Sequence, residues 1–307
     1  MSTSRPLTAL AASTALAIGF FASPGAPGAA PGEAVMSFLK IGVGARAEGM
    51  GGAYAAHADD ATAVYWNPAG LVSAGSLRAD LSHLEWLQDV RYEHLAIAGA
   101  KDGRAWGASV SGIWMDELEK RDVFGNEQGT FRFWDFSGSL AYAQRVTDRV
   151  DAGVAVKLLR EVIDDVTASG WAADAGVIVR LPLEGATAAA TALHVGPDVS
   201  YENGSFRLPS AYRLGAAYRR SFGVIHAVGA WDLALPSDED AQNHFGAECE
   251  YDRTVALRVG YRTGHDTQDL SFGLGLLATR GIRVDYANAA LSDDLGSTHR
   301  FSLSRTW

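Results

Sequence analysis

From Ser76 to Trp307, apolar and polar residues alternate with a period of two, and turn residues interrupt the pattern at fairly regular intervals. Such alternation marks strands that hide one face and wet the other. In 104–115, Trp106, Ala108, Val110, Gly112 and Trp114 fall on one face, opposite Ser109 and Ser111. Val150, Ala152, Val154, Val156 and Leu158 share a face. Trp171, Ala173, Ala175, Val177, Val179 and Leu181 do the same opposite Asp174 and Arg180. Tyr212, Leu214, Ala216 and Tyr218 alternate with Arg213, Gly215 and Arg219, and Val255, Leu257, Val259 and Tyr261 with Arg258 and Arg262. Leu270, Phe272, Leu274 and Leu276 alternate with Ser271, Gly273 and Gly275.

The pattern predicts about fourteen strands, near 77–86, 91–100, 104–115, 131–145, 149–161, 169–181, 188–196, 209–220, 222–233, 243–251, 254–263, 268–279, 281–288 and 297–307. Each unit has room for a tilted strand of about 9–11 residues and a connection. Asp102-Gly103, Thr147-Asp148 and Tyr251-Asp252 read as tight turns, whereas 116–130, 163–169, 198–208 and 236–242 read as longer polar loops. The acids Asp238, Glu239 and Asp240 then belong to solvated loop surface. Residues from about 34 to 75 differ: rich in Gly and Ala, with short helical possibilities and no sustained alternation.

Alternation alone does not separate a soluble sandwich from a barrel in lipid. Three features favour the barrel. The strand face opposite the apolar one carries Arg, Asp and Lys157, as a hydrated lumen requires. Trp86, Trp106, Trp114, Trp134, Trp171 and Trp231 fall near predicted strand ends, where an interface suits an apolar ring with a polar donor. The last predicted strand carries Phe301, Leu303, Arg305 and Trp307 on one face, and its terminal aromatic resembles the signal read when outer-membrane barrels are inserted. An even strand number and alternating short and long connections fit the same architecture. Strand edges are intolerable in lipid, so the sheet must close.

Composition agrees: 34 Gly, 9 Pro and 10% aromatics suit strands and tight turns. A formal charge of −10 argues against nucleic acid as a partner. Cys249 is the only cysteine, which excludes an intramolecular disulfide. Arg5, the uncharged run from Leu7 to Ala22, and the small residues and prolines through Ala30 read as a signal peptide over 1–30, with cleavage after Ala30 or Ala34. An uncleaved N-terminal anchor is the alternative. Beyond it, no apolar stretch approaches the length of a membrane-spanning helix.

No catalytic constellation, cofactor motif or metal motif emerges. There is no Gly-x-Ser-x-Gly elbow, no His-Glu-x-x-His helix and no phosphate loop. His83 and His94 could meet across the first hairpin as a polar pair facing the lumen. Asp164-Asp165 and Asp293-Asp294 could hold calcium weakly, with solvated acidic turns as the bland reading.

The N-terminal stretch is more specific. Gly49, Gly51 and Gly52 permit close backbone approach and unusual dihedrals. Asp59 or Asp60 can cap a short helix through Val64, and Asn67-Pro68 stops it. Gly44-Ala45-Arg46-Ala47, Gly49-Met50-Gly51-Gly52-Ala53, Ala58-Asp59-Asp60 and Trp66-Asn67-Pro68-Ala69-Gly70 resemble the N-terminal signature of the PorV/PorQ family of FadL-like outer-membrane barrels. Asp285-Tyr286-Ala287 and the stretch from Asp294 to Leu303 resemble the end of that family.

The resemblance implies a barrel of 14 strands over 76–307, in the bacterial outer membrane, with residues 31–75 as a luminal hatch holding Asn67-Pro68-Ala69. The hatch residues expected to gate the lumen are Gly49, Gly51, Gly52, Asp59, Asp60, Trp66, Asn67 and Pro68. Phe301, Leu303 and Trp307 form the expected insertion signal for the barrel-assembly machinery. Two activities follow from the family: passage of hydrophobic small molecules through a hatch-gated lumen, or service in type IX secretion as an adaptor that binds exported cargo proteins. An outer-membrane enzyme is the third class, and no nucleophile or base can be named for it.

Overall fold

The alternating segments pair in sequence order, each antiparallel to the next, and the last returns to the first. The computed structural model describes residues 34–86, 90–201, 204–264, 268–278, 281–291 and 296–307. The expected signal peptide and the Asp293-Asp294 pair lie outside the described residues. The strands are β1 (Arg78–Glu85), β2 (Arg91–Lys101), β3 (Arg104–Arg121), β4 (Glu127–Thr147), β5 (Val150–Ile163), β6 (Val166–Arg180), β7 (Ala186–Val195), β8 (Val199–Tyr201), β9 (Gly204–Phe206), β10 (Ala211–Phe222), β11 (Ile225–Pro236), β12 (Gln242–Tyr251), β13 (Val255–Thr263), β14 (Gln268–Leu277), β15 (Ile282–Leu291) and β16 (Ser297–Thr306). All but β8 and β9 form one closed barrel, and β8 and β9 pair as a small separate hairpin. Closure runs from Arg78 opposite Thr306 to Glu85 opposite His299.

The fourteen predicted strands are the fourteen of the barrel. The connections differ more. The expected loop 116–130 is largely strand: β3 and β4 continue past the wall as a long hairpin closed at 122–126. The expected loop 163–169 shrinks to a two-residue turn at Asp164-Asp165, where Asp164 pairs with Lys120. The expected loop 198–208 folds into β8 and β9. Polar composition misled here because a hairpin beyond the wall is wet on both faces and loses its alternation.

Side chains sort by face as the alternation requires. Val110, Leu140, Val154, Leu158, Leu214, Leu257, Phe272 and Leu303 are exposed on the outer wall, whereas Ser111, Asp151, Lys157, Asp174, Asp232, Glu248, Arg258 and Arg300 are buried within. A wall that is apolar outside and charged inside is the inverse of a soluble barrel and matches a lipid-embedded one. On the outside, Trp106 sits opposite Tyr142, and Trp114 opposite Trp134. Eight residues of β3 separate these two levels, about 27 Å of strand before tilt, in keeping with an apolar band about 25 Å tall. Trp86 departs from this arrangement, since it packs against the buried core and lines an internal cavity.

Residues from Met36 to Ala74 occupy the lumen as a plug. Its regular pieces are short: a 3₁₀ turn at Ser37–Lys40, α1 (Ala45–Gly49), α2 (Ala63–Trp66) and a second 3₁₀ turn at Pro68–Ser73. Helices of this length do not persist alone in water. Their conformation is held by the wall, and the molecule's main buried core joins plug residues such as Phe38, Tyr54, Val64, Trp66 and Leu71 to lumen-facing ones such as Leu84, Tyr92 and Leu159.

Candidate functional site

The plug begins at the long-loop end. Met36 N–H donates to Glu161 Oε2 at 3.2 Å, and Lys40 Nζ reaches Asp238 Oδ2 at 3.0 Å and Glu239 Oε1 at 2.5 Å. Asp238 is therefore buried and ion-paired, contrary to the expectation of a solvated loop acid.

Arg46 on α1 is the hub of the plug. It holds Glu248 of β12 with two bonds, Nε to Oε2 at 2.9 Å and Nη2 to Oε1 at 2.8 Å. Its other arm donates to Asp59 Oδ1 at 2.5 Å and to the Tyr54 hydroxyl at 3.1 Å. Glu248 also accepts from Arg258 Nε at 2.7 Å, and Arg258 Nη1 lies 2.8 Å from Asp285, so the network continues along the wall. Burial works against the charge on Asp59, yet Arg46, His57 and Arg219 hold its carboxyl well below the usual range. Burial likewise disfavours the Arg46 cation, but Asp59 and Glu248 reverse this and push its proton affinity up.

Two glycines need their freedom. Gly51 and Gly52 have φ of 65° and 74°, the left-handed region that other residues enter at a cost. The bend lets the Gly51 carbonyl accept from His244 Nδ1 at 2.7 Å and Arg262 Nε at 2.8 Å. Gly49 has another reason for being small: a Cβ there would come within 2.8 Å of the Gly273 Cα. Just beyond, Asp232 Oδ2 accepts from the backbone N–H of Tyr54 and of Ala55 at 2.9 Å each.

The Asp59-Asp60 pair splits its duties. Asp60 receives the Tyr54 hydroxyl at 2.6 Å and the Thr62 N–H at 3.0 Å, which shapes the entry to α2. Asp59 takes the ion pairs with Arg46 and Arg219. Trp66 Nε1 donates to the Val43 carbonyl at 2.9 Å, joining α2 to the approach to α1. Asn67 Nδ2 donates to the Ala55 carbonyl at 2.8 Å, and its Oδ1 accepts the Ala69 N–H at 3.1 Å, capping the turn that Pro68 begins. All eight expected hatch residues lie in this plug, tied to one another or to the wall.

The residues expected to serve insertion lie elsewhere. Phe301 and Leu303 face outward on β16, and Trp307 is exposed beside Arg305, with its N–H on the Leu77 carbonyl at 3.1 Å. The expected His83–His94 pair does not form. His83 stands opposite Glu93 and bonds it at 2.6 Å on the outer face, whereas His94 stands opposite Ser82, is buried, and bonds Ser111 at 2.8 Å. Neighbours in a hairpin meet only when they share a face, and an odd register offset separates these two. No group of His, Cys, Asp or Glu suited to a metal ion occurs among the described residues.

Sequence reasoning missed the wall partners: Asp80, Arg213, Asp232, Glu248, Arg258, Arg262 and Arg300. Their signal was present, since each is a charge on the lumen-facing positions of an alternating strand. A second missed signal is glycine on the same face. A Cβ on Gly153 would stand 2.5 Å from the Pro68 carbonyl carbon, on Gly176 2.0 Å from Asn67 Oδ1, on Gly246 2.5 Å from the Met50 carbonyl oxygen and on Gly260 1.9 Å from Gly51 N. The wall is bare of side chains where the plug's backbone runs against it.

Two cavities flank the plug. One of about 770 Å³ opens at the long-loop end, lined by Met36, Phe38, Leu84, Trp86, Ile113 and Phe133 with Asp135, Glu161 and Arg300. The other, about 390 Å³, lies at the short-turn end beside His57, Asp59, Asp151, Arg180 and Arg219. Between them Met50, Tyr54, Trp66 and Asn67 are at most 2% exposed.

A closed 14-stranded antiparallel barrel with a luminal N-terminal plug is the fold of the FadL-like outer-membrane channels. The toluene transporter TbuX of Ralstonia pickettii is similar to this chain with a TM-score of 0.62 at 14% identity, over 87% of this chain and 98% of that one. For the Pseudomonas putida toluene transporter TodX the TM-score is 0.59 at 13% identity, over 86% and 97%. A Pseudomonas aeruginosa FadL homologue gives 0.51 at 11%, over 83% and 96%. In sequence, residues 11–151 match UPF0164, described as an uncharacterised protein family. No curated protein matches the chain.

Proposed function

We propose that this protein is an outer-membrane channel for hydrophobic solutes, closed at rest by its hatch and exported with the help of residues 1–30. The observation that carries the reading is the cavity at the long-loop end. Its volume of about 770 Å³ and its wall of Phe38, Leu84, Trp86, Val90, Ile113 and Phe133 suit a small apolar ligand. Its floor is the start of the plug. A solute resting there is separated from the second cavity by side chains that must move for it to pass. Proteins of the same fold include toluene transporters, which agrees with this use. Phe301, Leu303 and Trp307 serve insertion by the assembly machinery, and Gly49, Gly51, Gly52, Asp59, Asp60, Trp66, Asn67 and Pro68 serve gating.

Deleting residues 40–70 tests the reading. The β1–β16 closure does not involve those residues, so the barrel persists and single-channel conductance in planar bilayers rises. Unchanged conductance would refute plugging.

One observation favours the second reading, a secretion adaptor of the PorV type. Val123 and Phe124, at the tip of the long β3–β4 hairpin, are 94% and 86% exposed, the kind of apolar tip that a protein partner covers. Gentle purification separates the readings, because an adaptor retains exported proteins and a channel does not.

A further inference from the structure

The charges of the upper cavity are unevenly matched. Each base on its wall lies against a carboxylate, with Arg262 and Arg300 sharing Glu48. Lys40 is held by Asp238 and Glu239. Arg262 Nη2 meets Glu48 Oε1 at 2.7 Å, and Arg300 Nη2 lies 3.5 Å from Glu48 Oε2 while also donating to the Gly42 carbonyl. The acids Asp135 and Glu161 have no such partner among the described residues. Glu161 accepts only neutral donors, the Met36 N–H and the Tyr201 hydroxyl. Asp135 is 3% exposed, and its Oδ1 has no hydrogen-bond partner.

The two carboxyls are also neighbours. Asp135 on β4 stands directly opposite Glu161 on β5, both point into the lumen, and both line the cavity. Facing residues of this kind have Cβ atoms about 4.5–5.5 Å apart. Like charges so placed repel, and a buried acceptor without a donor costs free energy. One cation between them removes both costs. Beside the pair, Phe133, Ile113 and Phe38 form an apolar shelf on the same cavity.

We propose that this cavity selects hydrophobic solutes bearing a protonated amine. The ammonium sits between Asp135 and Glu161, donating to Asp135 Oδ1, and the apolar body lies against Phe38, Ile113 and Phe133. Anionic solutes are disfavoured, because the cavity's free charge is negative. The proposal rests on the reading of the cavity as a solute site and specifies what that site prefers.

Four probes of nearly equal shape test it: benzylammonium, benzyl alcohol, toluene and benzoate. Binding of each to the full chain in detergent micelles is measured by calorimetry at neutral pH, with empty micelles subtracted. Benzylammonium binds about tenfold more tightly than toluene or benzyl alcohol, a factor typical of one charge-assisted bond, and benzoate binds least. Asp135→Asn and Glu161→Gln each bring the ratio of benzylammonium to toluene close to one, with heat-modifiable gel migration reporting the folded barrel. If Asp135→Asn does not fold, Glu161→Gln reads the same pair. Equal binding of benzyl alcohol and benzylammonium, or a preference for benzoate, overturns the amine preference while leaving the solute site standing. Binding of none of the four overturns the solute site itself.

Discussion

Arg46 touches Glu248, Asp59 and Tyr54 at once, and 202 residues separate it from the first of these. Its bidentate grip on Glu248 uses the guanidinium fork, which an ammonium cannot reproduce. Arg46→Ala removes the cation that Glu248 and Asp59 share and leaves them only Arg258 and Arg219, a loss smaller than the roughly 3–5 kcal/mol of a buried pair left with no partner. The hatch loosens, and open-channel current increases in planar bilayers. Arg46→Lys gives an intermediate current, since it keeps the charge and loses the fork.

The same contact has a pH signature. The Asp59 carboxyl titrates below its free value of 3.8, so its stabilisation is present above that value and is lost as pH falls through the depressed one. Burial raises the Tyr54 and Tyr65 phenols above their free value of 10.0, so both stay protonated in the folded protein and weigh against it only above that pH. The tie between Asp59 and Arg46 is therefore insensitive to pH around neutrality and weakens towards strong acid, whereas the two phenols act only in strong alkali. A step in leak current near pH 7 would contradict the assignment of Asp59 and Arg46 as the main tie.

At the scale of elements, plug and wall fit because the strands carry glycine where the plug presses. Gly176→Ala would drive a Cβ to 2.0 Å from Asn67 Oδ1, and Gly260→Ala one to 1.9 Å from Gly51 N. Both substitutions leave the outer face untouched, so the barrel inserts while the plug is displaced and conductance rises. Gly229 faces outward, with nothing within 4 Å of a Cβ. Gly229→Ala leaves conductance at the unsubstituted level, and it separates displacement of the plug from a general weakening of strands. The plug's own helices carry no comparable information. They are a turn or so long and keep their shape only inside the barrel.

At the scale of the whole molecule, closure and plugging are separate achievements. Antiparallel pairing of β1 with β16 removes the last strand edge, which lipid would not tolerate. The plug fills much of what closure leaves, with cavities of about 770 and 390 Å³ on either side of it among the described residues. Both carry charge, but only the upper one is walled by a run of aromatic and aliphatic side chains, so on the proposed reading an apolar solute enters at the long-loop end. Met36 and Phe38 of the plug line the upper cavity, so in the proposed channel a solute meets the hatch before it can pass.

The alternation was legible throughout the wall because the side of a strand on which a residue falls is fixed by the backbone itself, two residues at a time. Strand positions, faces and number could therefore be read without knowing any partner. The turns of the N-terminal stretch were legible as well, since its glycines, Asp59-Asp60 and Asn67-Pro68 are local constraints. What tertiary structure alone decided was every long-range pairing. Nothing near Arg46 in sequence points to Glu248, and nothing near Asp135 shows that Glu161 stands opposite it with no cation between them. Register, strand tilt and the path of the plug choose those partners together. Hence the composition of the lumen could be read along the chain, while its electrostatic matching, and the acidic pair Asp135 and Glu161, appeared only once the sheet had closed.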